Sequence, residues 1–219
     1  GIMRLIDGRI TLSVPSGPER ERTRPIMIRR GPDGLLWYCS CNGVFRCARD
    51  MSSASVLKGT AGLCVRSMIT VGDRTFLGTY GDGVFVLEND KLIGLPRDKR
   101  GFLTHTHAIL PDRNGRLWFS TNQGMLNAKE NEISAFLAGD LSDVYFARQD
   151  PGSGLFASEF NGGCDPPWTA WSDGTVCFPS LNGSIWFDPD SIPDAYPKGP
   201  IMLEATMVDG LLWPVDEYS

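Results

Sequence analysis

The chain has 219 residues, a formal net charge of −5 and an isoelectric point near 5.1. An acidic chain without a basic stripe is a poor match for nucleic acid or for an anionic membrane surface. No apolar run approaches the ~20 residues of a membrane helix, and no signal peptide is visible. The 25 glycines, 15 prolines and 42% hydrophobic residues favour many short strands joined by turns.

The first predicted element is a strand over residues 1–8, which aligns with residues 43–48, the last strand of a unit that recurs along the chain. Because the other strands of its own unit are missing, we expect this segment to be an orphan strand. Residues 11–24 are rich in Ser, Pro, Glu and Arg and are predicted to form a polar connection. Residues 25–29 then predict the first inner strand.

A hairpin pattern recurs four times along the chain. Each copy has a polar turn, a short apolar core and a second turn that ends in glycine, and the copies span residues 33–45, 73–85, 114–126 and 173–185. The glycines of the second turns are spaced by 40, 41 and 59 residues, at Gly43, Gly83, Gly124 and Gly183. A period of about 40 residues with hairpin chemistry in each unit is typical of a β-propeller with four strands per blade.

One position of the repeat holds a large side chain in three of the four copies. It is Trp37, Phe76 and Trp118 in the first three copies and Cys177 in the fourth. Such a drift in residue type is typical of a packing position on a half-buried strand. We therefore expect the three aromatic side chains to be buried between neighbouring sheets.

The last part of the chain departs from the regular spacing. The third interval exceeds the second by 59 − 41 = 18 residues, and the excess includes residues 150–154 and 159–163. No segment of ten or more residues has a convincing helical period. A proline-rich run at residues 188–200 predicts a domain boundary, after which residues 200–213 start a new apolar strand.

These motifs resemble a known repeat. The unit Asp-Gly-x-Leu-Trp-Phe followed by Gly-x-Leu resembles the regulator-propeller repeat of bacterial two-component sensors. The fourth copy is the most specific, because residues 154–163, 173–183 and 186–189 look like the last blade of those sensors, with Val-Cys-Phe in place of Leu-Trp-Phe. Residues 200–210 look like the first strand of the triple-tyrosine β-sandwich that follows such propellers.

The resemblance implies an all-β chain of two parts. Residues 1–196 would form a partial β-propeller of about four blades plus one orphan strand, and residues 197–219 would start a β-sandwich domain. The chain would be a non-catalytic, periplasmic sensor region of a membrane-bound histidine kinase or diguanylate cyclase, and its residues do not indicate which. The targeting segment and membrane anchor of such a parent would lie outside this sequence.

The resemblance also implies partners. We expect a small extracellular ligand, for which a carbohydrate is one option, and the rest of the parent sensor, without a cofactor, nucleic acid or membrane contact. Two alternatives from other functional classes stay open. One is a carbohydrate-active propeller enzyme, such as a glycosidase or a lyase, and the other is a protein-interaction propeller that binds no small ligand.

The only histidines of the chain, His105 and His107, stand two apart on a predicted strand and hence on one face. A zinc or copper site could use such a pair but would need further ligands from elsewhere in the fold. The alternative is an inner strand that lines the channel with polar groups. The sequence favours this alternative, because the pair lacks the spacing of a complete metal site, and we expect no metal.

The cysteines leave two interpretations open. Reduced, buried thiols are favoured, because Cys177 occupies a position where its counterparts are aromatic. The alternative is one disulfide formed in an oxidising compartment, which would join Cys41 or Cys39 to Cys47. The six cysteines are Cys39, Cys41, Cys47, Cys64, Cys164 and Cys177.

Carboxylates occur mainly in the predicted turns, where they accept backbone hydrogen bonds. These residues are Asp33, Asp73, Asp82, Asp112 and Asp173. A glycosidase needs an acid and a base that face a common cleft, yet the inner strands at residues 26–28 and 68–70 carry neither. No Gly-x-Ser-x-Gly, His-Glu-x-x-His or phosphate-loop motif is present, so we expect no catalytic residues.

Residues 159–171 form the segment richest in groups that could bind a ligand. Asn161 and two glycines give a sharp bend, and Trp168 and Trp171 could form a stacking platform for a sugar. The structural alternative, which the sequence favours, is a plug beside the next domain in which Asn161 bonds backbone groups. The candidate ligand-binding residues are therefore Glu159, Asn161, Trp168, Trp171, His105 and His107.

Both ends of the chain are predicted to lack partner strands. Residues 1–10 align with an outermost strand that the fourth copy already supplies at residues 183–188, and residues 200–213 start a new strand. Unpaired backbone groups need partners, so we expect self-association through these open edges. The alternative is a closed five-bladed ring in which residues 1–10 pair with residues 200–213. The apolar side chains at the C-terminal end are Ile201, Leu203, Leu211, Leu212 and Trp213.

Overall fold

The computed structural model describes residues 2–14, 24–96, 100–149, 155, 159–193, 206–208 and 211–213. For residues 2–4, 11–14, 206–208 and 211–213 it describes the backbone alone. Within these ranges the fold is all-β with one α-helix, and its sheets are antiparallel meanders in which strands adjacent in sequence are neighbours. None of the helices in the described ranges has the length and apolar character needed to cross a membrane.

The N-terminal segment forms a hairpin of its own. Strand β1 (Ile2–Ile6) pairs with β2 (Arg9–Val14) around Asp7 and Gly8, whose φ angles are 49° and 74°. Asp-Gly is a preferred dipeptide for a two-residue turn in which both residues have positive φ. The predicted orphan strand is therefore wrong, because the first residues of the supposed polar connection supply its partner.

Four sheets form the blades of the propeller. Blade 1 contains β3 (Met27–Arg30), β4 (Leu36–Ser40), β5 (Gly43–Cys47) and β6 (Ala54–Val56). Blade 2 contains β7 (Val65–Val71), β8 (Arg74–Thr79), β9 (Val84–Glu88) and β10 (Lys91–Gly94). Blade 3 contains β11 (Thr106–Pro111), β12 (Arg116–Thr121), β13 (Gly124–Lys129) and β14 (Ala147–Gln149). Blade 4 contains β15 (Thr169–Ala170), β16 (Val176–Ser180) and β17 (Gly183–Phe187).

The C-terminal segment also pairs locally. Strand β18 (Thr206–Val208) pairs with β19 (Leu211–Trp213). The prediction of a single new strand without a partner is wrong for these residues, and so is the alternative in which they complete a fifth blade with the N-terminus. The boundary at residues 196 and 197, as well as Ile201 and Leu203, lies outside the described residues.

Each blade turns in the same way between its second and third strands. In every blade the second strand ends in Ser or Thr, and its hydroxyl donates to the carbonyl of the glycine across the turn, at Ser40, Thr79, Thr121 and Ser180. The four glycines have φ angles of 113°, 84°, 113° and 125°, at Gly43, Gly83, Gly124 and Gly183. A Cβ on Gly124 would lie 2.7 Å from the carbonyl oxygen of Gln149, so the approach of β14 also requires glycine there.

Large side chains fill the space between neighbouring blades. Trp37, Phe76 and Trp118 are 5%, 3% and 0% exposed, which confirms the predicted packing position. Trp37 packs with Met68 between blades 1 and 2. Trp118 packs with Phe187 between blades 3 and 4, with ring centroids 5.3 Å apart. The position therefore faces the following blade each time.

Turn carboxylates hold these tryptophans in place. Asp33 accepts hydrogen bonds from the backbone N–H of Leu35 and from the indole N–H of Trp37. Burial acts to raise the pKa of Asp33, but the hydrogen bonds from Leu35 and Arg46 outweigh it and hold the pKa below its usual value. Turn aspartates thus have the structural role that the sequence predicts.

Blade 3 carries a helix that the sequence pattern did not reveal. Helix α1 (Glu130–Ala138) lies between β13 and β14 and accounts for part of the long third interval. It ends at Gly139, whose φ is 86°, and buries Ile133 against the core of blade 3. Nine residues form it, fewer than the ten on which the search for a helical period relied.

One disulfide joins the first two blades. Cys41, in the turn of blade 1, is bonded to Cys64, just before β7. The predicted bond to Cys47 is therefore wrong, because Cys47 is a free, buried thiol. Burial raises the pKa of another free thiol, Cys39, to about 12, so that it behaves as a buried apolar group.

Candidate functional site

The inner strands of blades 2 and 3 share an irregularity at the same place. In β7 the pairing with β8 skips Arg66, and in β11 the pairing with β12 skips His107. Such bulges redirect a side chain at the edge of a sheet. Because the bulges lie at equivalent positions, Arg66 and His107 stand at the same end of the propeller, next to the Ser/Thr turns. We call this region the channel mouth and define it by Arg66, Tyr80, His105, His107 and Asn122.

Tyr80 lies at the centre of the channel mouth. The Arg66 guanidinium carbon sits 4.2 Å from the centroid of the Tyr80 ring. On the side of blade 3, the Tyr80 ring contacts the ring of His105 edge-on at 4.4 Å and the ring of His107 at 5.9 Å. The two histidines thus meet one aromatic ring.

Blade 4 supplies an equivalent position through residues that precede β15. Phe160 bridges Ser180, as Thr106 pairs with Thr121 in blade 3. Asn161 follows Phe160 and donates from its side chain to the carbonyl of Ser180 at 3.0 Å. Asn161 therefore corresponds to His107 of blade 3.

Between Phe160 and β15 the chain leaves blade 4 and crosses in front of the inner strands. We call residues 162–168 the strap. A Cβ on Gly162 would lie 2.1 Å from Nδ1 of His107, and one on Gly163 would lie 3.1 Å from Nη1 of Arg66. Asp165 then pairs with Arg29 of β3 at 2.8 Å. Successive residues of one loop thus reach blades 3, 2 and 1, while the predicted position of a plug beside the next domain stays a prediction.

Burial and the neighbouring polar groups determine the pKa of His107 at the channel mouth. Burial lowers the pKa of His107 below its usual value, although the hydrogen bond with Asn122 and the charge of Glu159 oppose this shift. His107 is 3% exposed, and its Nδ1 atom has no hydrogen-bond partner. The Nε atom of Arg66 is likewise buried without one.

The chemistry of the channel mouth suits recognition. It combines an aromatic ring face, a guanidinium, two imidazoles and an amide, which are groups that orient a polar ligand. Among the described residues, no group of three His, Cys, Asp or Glu side chains could hold a metal ion. The strap carboxylate of Asp165 accepts hydrogen bonds from Arg29 and forms an ion pair with it in this structure.

The structure brings together four of the six candidate residues. His105, His107 and Asn161 occupy the channel mouth or its blade 4 equivalent, and the charge of exposed Glu159 acts on His107. Trp168 is instead a packing residue between blades 3 and 4, where its indole N–H donates to the carbonyl of Ile109 at 3.0 Å.

Trp171 forms a different platform from the one predicted. Its ring stacks on Trp186 of β17, with centroids 4.5 Å apart, and not on Trp168. Trp171 and Trp186 are 42% and 57% exposed. Trp186 pairs across the sheet with Cys177, so β17 supplies the aromatic group that the repeat position lacks in blade 4.

Sequence reasoning missed five residues of this region, which are Arg29, Arg66, Tyr80, Asn122 and Asp165. Tyr80 and Asn122 each follow the Ser or Thr that ends the second strand, at residues 79 and 121. An alignment of the repeats on that hydroxyl would have identified this position. No comparable sequence signal identifies the pairing of Asp165 with Arg29, because the two residues are 136 positions apart.

Comparison with known proteins agrees with the repeat. Residues 104–123, which include both histidines and Trp118, match the model of the family described as two component regulator propeller. Blade 3 thus carries a repeat of that type. No curated protein matches the full sequence significantly.

Solved structures share the fold at low sequence identity. The extracellular domain assigned to the hybrid two component system BT3049 from B. thetaiotaomicron superposes with a TM-score of 0.65 and 20% identity, over 98% of this chain and 30% of that one. The extracellular domain assigned to the one component system BT4673 of the same organism gives a TM-score of 0.58 and 12% identity, over 84% and 26%. The chain therefore spans less than a third of either ectodomain.

An enzyme also shares the fold. Virginiamycin B lyase from Staphylococcus aureus superposes with a TM-score of 0.54 and 14% identity, over 84% of this chain and 61% of the lyase. At this identity the likeness concerns the fold alone, since one propeller architecture serves both binding proteins and enzymes.

Proposed function

We propose that this chain, whose third blade carries a two component regulator propeller repeat, is part of the sensor region of a membrane-bound bacterial signalling protein. Its role is to bind a ligand outside the cytoplasm without converting it, and the rest of the parent passes on the bound state. The proposed compartment is the periplasm, and the proposed output is a histidine kinase or a diguanylate cyclase. The two extracellular signalling domains with the same fold support this proposal.

The observation that carries the proposal is the channel mouth. Tyr80 is 40% exposed although Arg66, His105 and His107 surround it, so one aromatic surface stays accessible among hydrogen-bonding groups. Two buried polar atoms there, on Arg66 and His107, have no hydrogen-bond partner. Buried polar groups without partners are rare in folded proteins, and a bound ligand or water is one explanation for them.

A carbohydrate is the ligand that we place at this site. A sugar presents apolar C–H faces and many hydroxyl groups, which match an aromatic ring face bordered by donors and acceptors. Tyr80 supplies the ring face, and Arg66 and His105 supply polar groups in contact with it.

A carbohydrate-active enzyme is the second candidate. Two imidazoles and the Glu159 carboxylate near one accessible surface are groups that could transfer protons, and a lyase shares the fold. This candidate requires product formation, whereas the sensor proposal requires stoichiometric binding without turnover.

The test is a glycan array, followed by calorimetric titration of each glycan that binds. We expect stoichiometric binding without hydrolysis or elimination products in the titrated mixture. Tyr80→Leu should weaken binding about tenfold or more, because it removes a central aromatic contact. Tyr145→Leu is the matched control, since Tyr145 is 42% exposed and belongs to the loop after α1.

Two results would count against the sensor proposal. Release of a shortened or unsaturated glycan would support the enzyme instead. Equal binding by the Tyr80→Leu and Tyr145→Leu variants would place the ligand away from the channel mouth.

A further inference from the structure

The strap places the Asp165 carboxylate beside hydrogen-bond donors of Arg29 and Ile28. Asp165 accepts hydrogen bonds from Nη1 and Nη2 of Arg29 at 2.9 and 2.8 Å. Its Oδ2 atom also lies 3.4 Å from the backbone nitrogen of Ile28. A forked guanidinium beside a strand N–H matches the shape and charge of any carboxylate.

Positive charge at the neighbouring blade is not neutralised in the same way. The Arg66 guanidinium lies over the Tyr80 ring, and no carboxylate of the described residues forms an ion pair with it. Asp165 balances the charge of Arg29, so Arg66 is the cation beside the strap that has no ion-pair partner among the described residues. A guanidinium without an ion-pair partner attracts anions.

Trp168 anchors the end of the strap between blades 3 and 4, whereas the part before it is held to blade 1 by a single ion pair. Both side chains of the Arg29–Asp165 pair are partly exposed, at 39% and 28%, so the pair contributes little to stability. Gly162 and Gly163 occupy the part of the strap nearest His107 and Arg66, where no side chain anchors it. An incoming anion therefore competes with one exposed ion pair.

We propose that the channel mouth is selective for ligands that carry a carboxylate group, and that Asp165 fills part of the site when no ligand is bound. This inference rests on the proposed function, because it names the ligand class of the same site. The ligand carboxylate replaces Asp165 on Arg29 and Ile28, and the rest of the ligand extends over Tyr80 toward Arg66. The strap, freed from β3, moves away as the ligand enters.

The test compares two variants by calorimetric titration with D-glucuronate, D-glucose and succinate. Asp165→Asn removes the internal competitor with little change in size and should tighten glucuronate binding about two- to fivefold, the range expected for an exposed ion pair. Asp90→Asn is the matched control, because it makes the same change in the turn between β9 and β10. We expect wild-type protein to bind glucuronate more tightly than glucose.

Arg29→Met removes the guanidinium that would hold the ligand carboxylate. It should therefore abolish the preference for glucuronate over glucose. Circular dichroism shows whether each variant remains folded. Succinate separates the sources of the carboxylate: equal affinity for succinate and glucuronate means that the carboxylate alone is recognised, and weaker succinate binding means that the sugar ring contributes. Both results agree with the inference.

Three outcomes would overturn the inference. They are equal affinity for glucose and glucuronate, equal effects of Asp165→Asn and Asp90→Asn, and no binding of any of the three probes. If glucose and glucuronate bind equally but a neutral glycan binds in a Tyr80-dependent way, the carboxylate inference fails and the proposed function stands. Arg29-dependent carboxylate binding that is unchanged by Tyr80→Leu would contradict both the proposed site and the path of the ligand over Tyr80.

Discussion

Burial of single side chains explains both the packing of Trp118 and the lowered pKa of His107. Trp118 loses all of its exposed surface between blades 3 and 4, and its indole N–H donates to Asp112 at 2.8 Å. His107 is buried at the bulge in β11. The first residue belongs to the propeller core and the second to the candidate site, so changes at each should have distinct effects.

Trp118→Ala should lower the free energy of unfolding by about 3–5 kcal/mol, because it leaves a large cavity between two sheets. Urea denaturation measures this loss. The matched control is Trp186→Ala, which removes a mostly exposed ring and should cost less than about 1.5 kcal/mol. Equal losses in the two variants would contradict the repeat alignment.

His107 should make stability depend on pH. Burial lowers its pKa in the folded state, whereas the unfolded chain keeps the usual value of 6.5. Below that pH the unfolded state binds more protons, so the contribution of neutral His107 is complete above pH 6.5 and is lost as the pH falls below it. Urea denaturation at several pH values should therefore show a decline that His107→Gln flattens. A wild-type slope in the His107→Gln variant would contradict this expectation.

A buried polar link connects elements that do not belong to the same blade. Arg116 of β12 is 2% exposed in its side chain and pairs with Asp112 at 2.6 Å. It also donates to the carbonyl of Ile192 at 2.7 Å, beyond β17. One guanidinium thus connects blade 3 to the segment that follows blade 4, in a region from which water is excluded.

Arg116→Met should lower the free energy of unfolding by about 3–5 kcal/mol, because Asp112 would remain buried without its cation. The matched control is Arg113→Met, which removes a guanidinium that is 75% exposed and 3.9 Å from Asp190. That change should cost less than about 1 kcal/mol. Chemical denaturation of both variants checks the contrast, and similar midpoints would show that the buried link is not important.

On the scale of the whole molecule, one face of blade 4 differs from the others. The repeat position faces the following blade in blades 1 to 3, whereas in blade 4 the corresponding face carries the exposed Trp171–Trp186 pair. Among the strands that the structure describes, β17 is also the edge of its sheet. An apolar face next to a free edge favours association with another molecule.

We expect the purified chain to self-associate through this face. Sedimentation equilibrium should show a mass above that of one chain, and Trp186→Ser should shift the equilibrium toward the monomer. Leu141→Ser is the matched control, since Leu141 is 42% exposed and lies beyond α1. A wild-type protein that remains monomeric at all measurable concentrations would contradict this expectation.

Local features were predictable from the sequence because they depend on short segments. The four hairpins, their glycines and the buried aromatic position follow from the two-residue period of a strand and from the φ angles that tight turns require. The same reasoning fails at the chain ends, where Asp7-Gly8 is itself a turn signal inside the segment predicted as one strand. It also fails for α1, whose nine residues are too few to show a clear helical period.

The tertiary structure alone decided which distant residues meet. The path of the strap brings Asp165 to Arg29, the order of the blades brings Cys41 to Cys64, and stacking joins Trp171 to Trp186. None of these pairs shares a strand, a turn or a repeat position, so no local pattern encodes them. The physical reason is that a side chain's partners across the channel depend on how whole blades pack. The repeat sequence determines the blade itself, and the loops between and within blades determine what reaches the channel mouth.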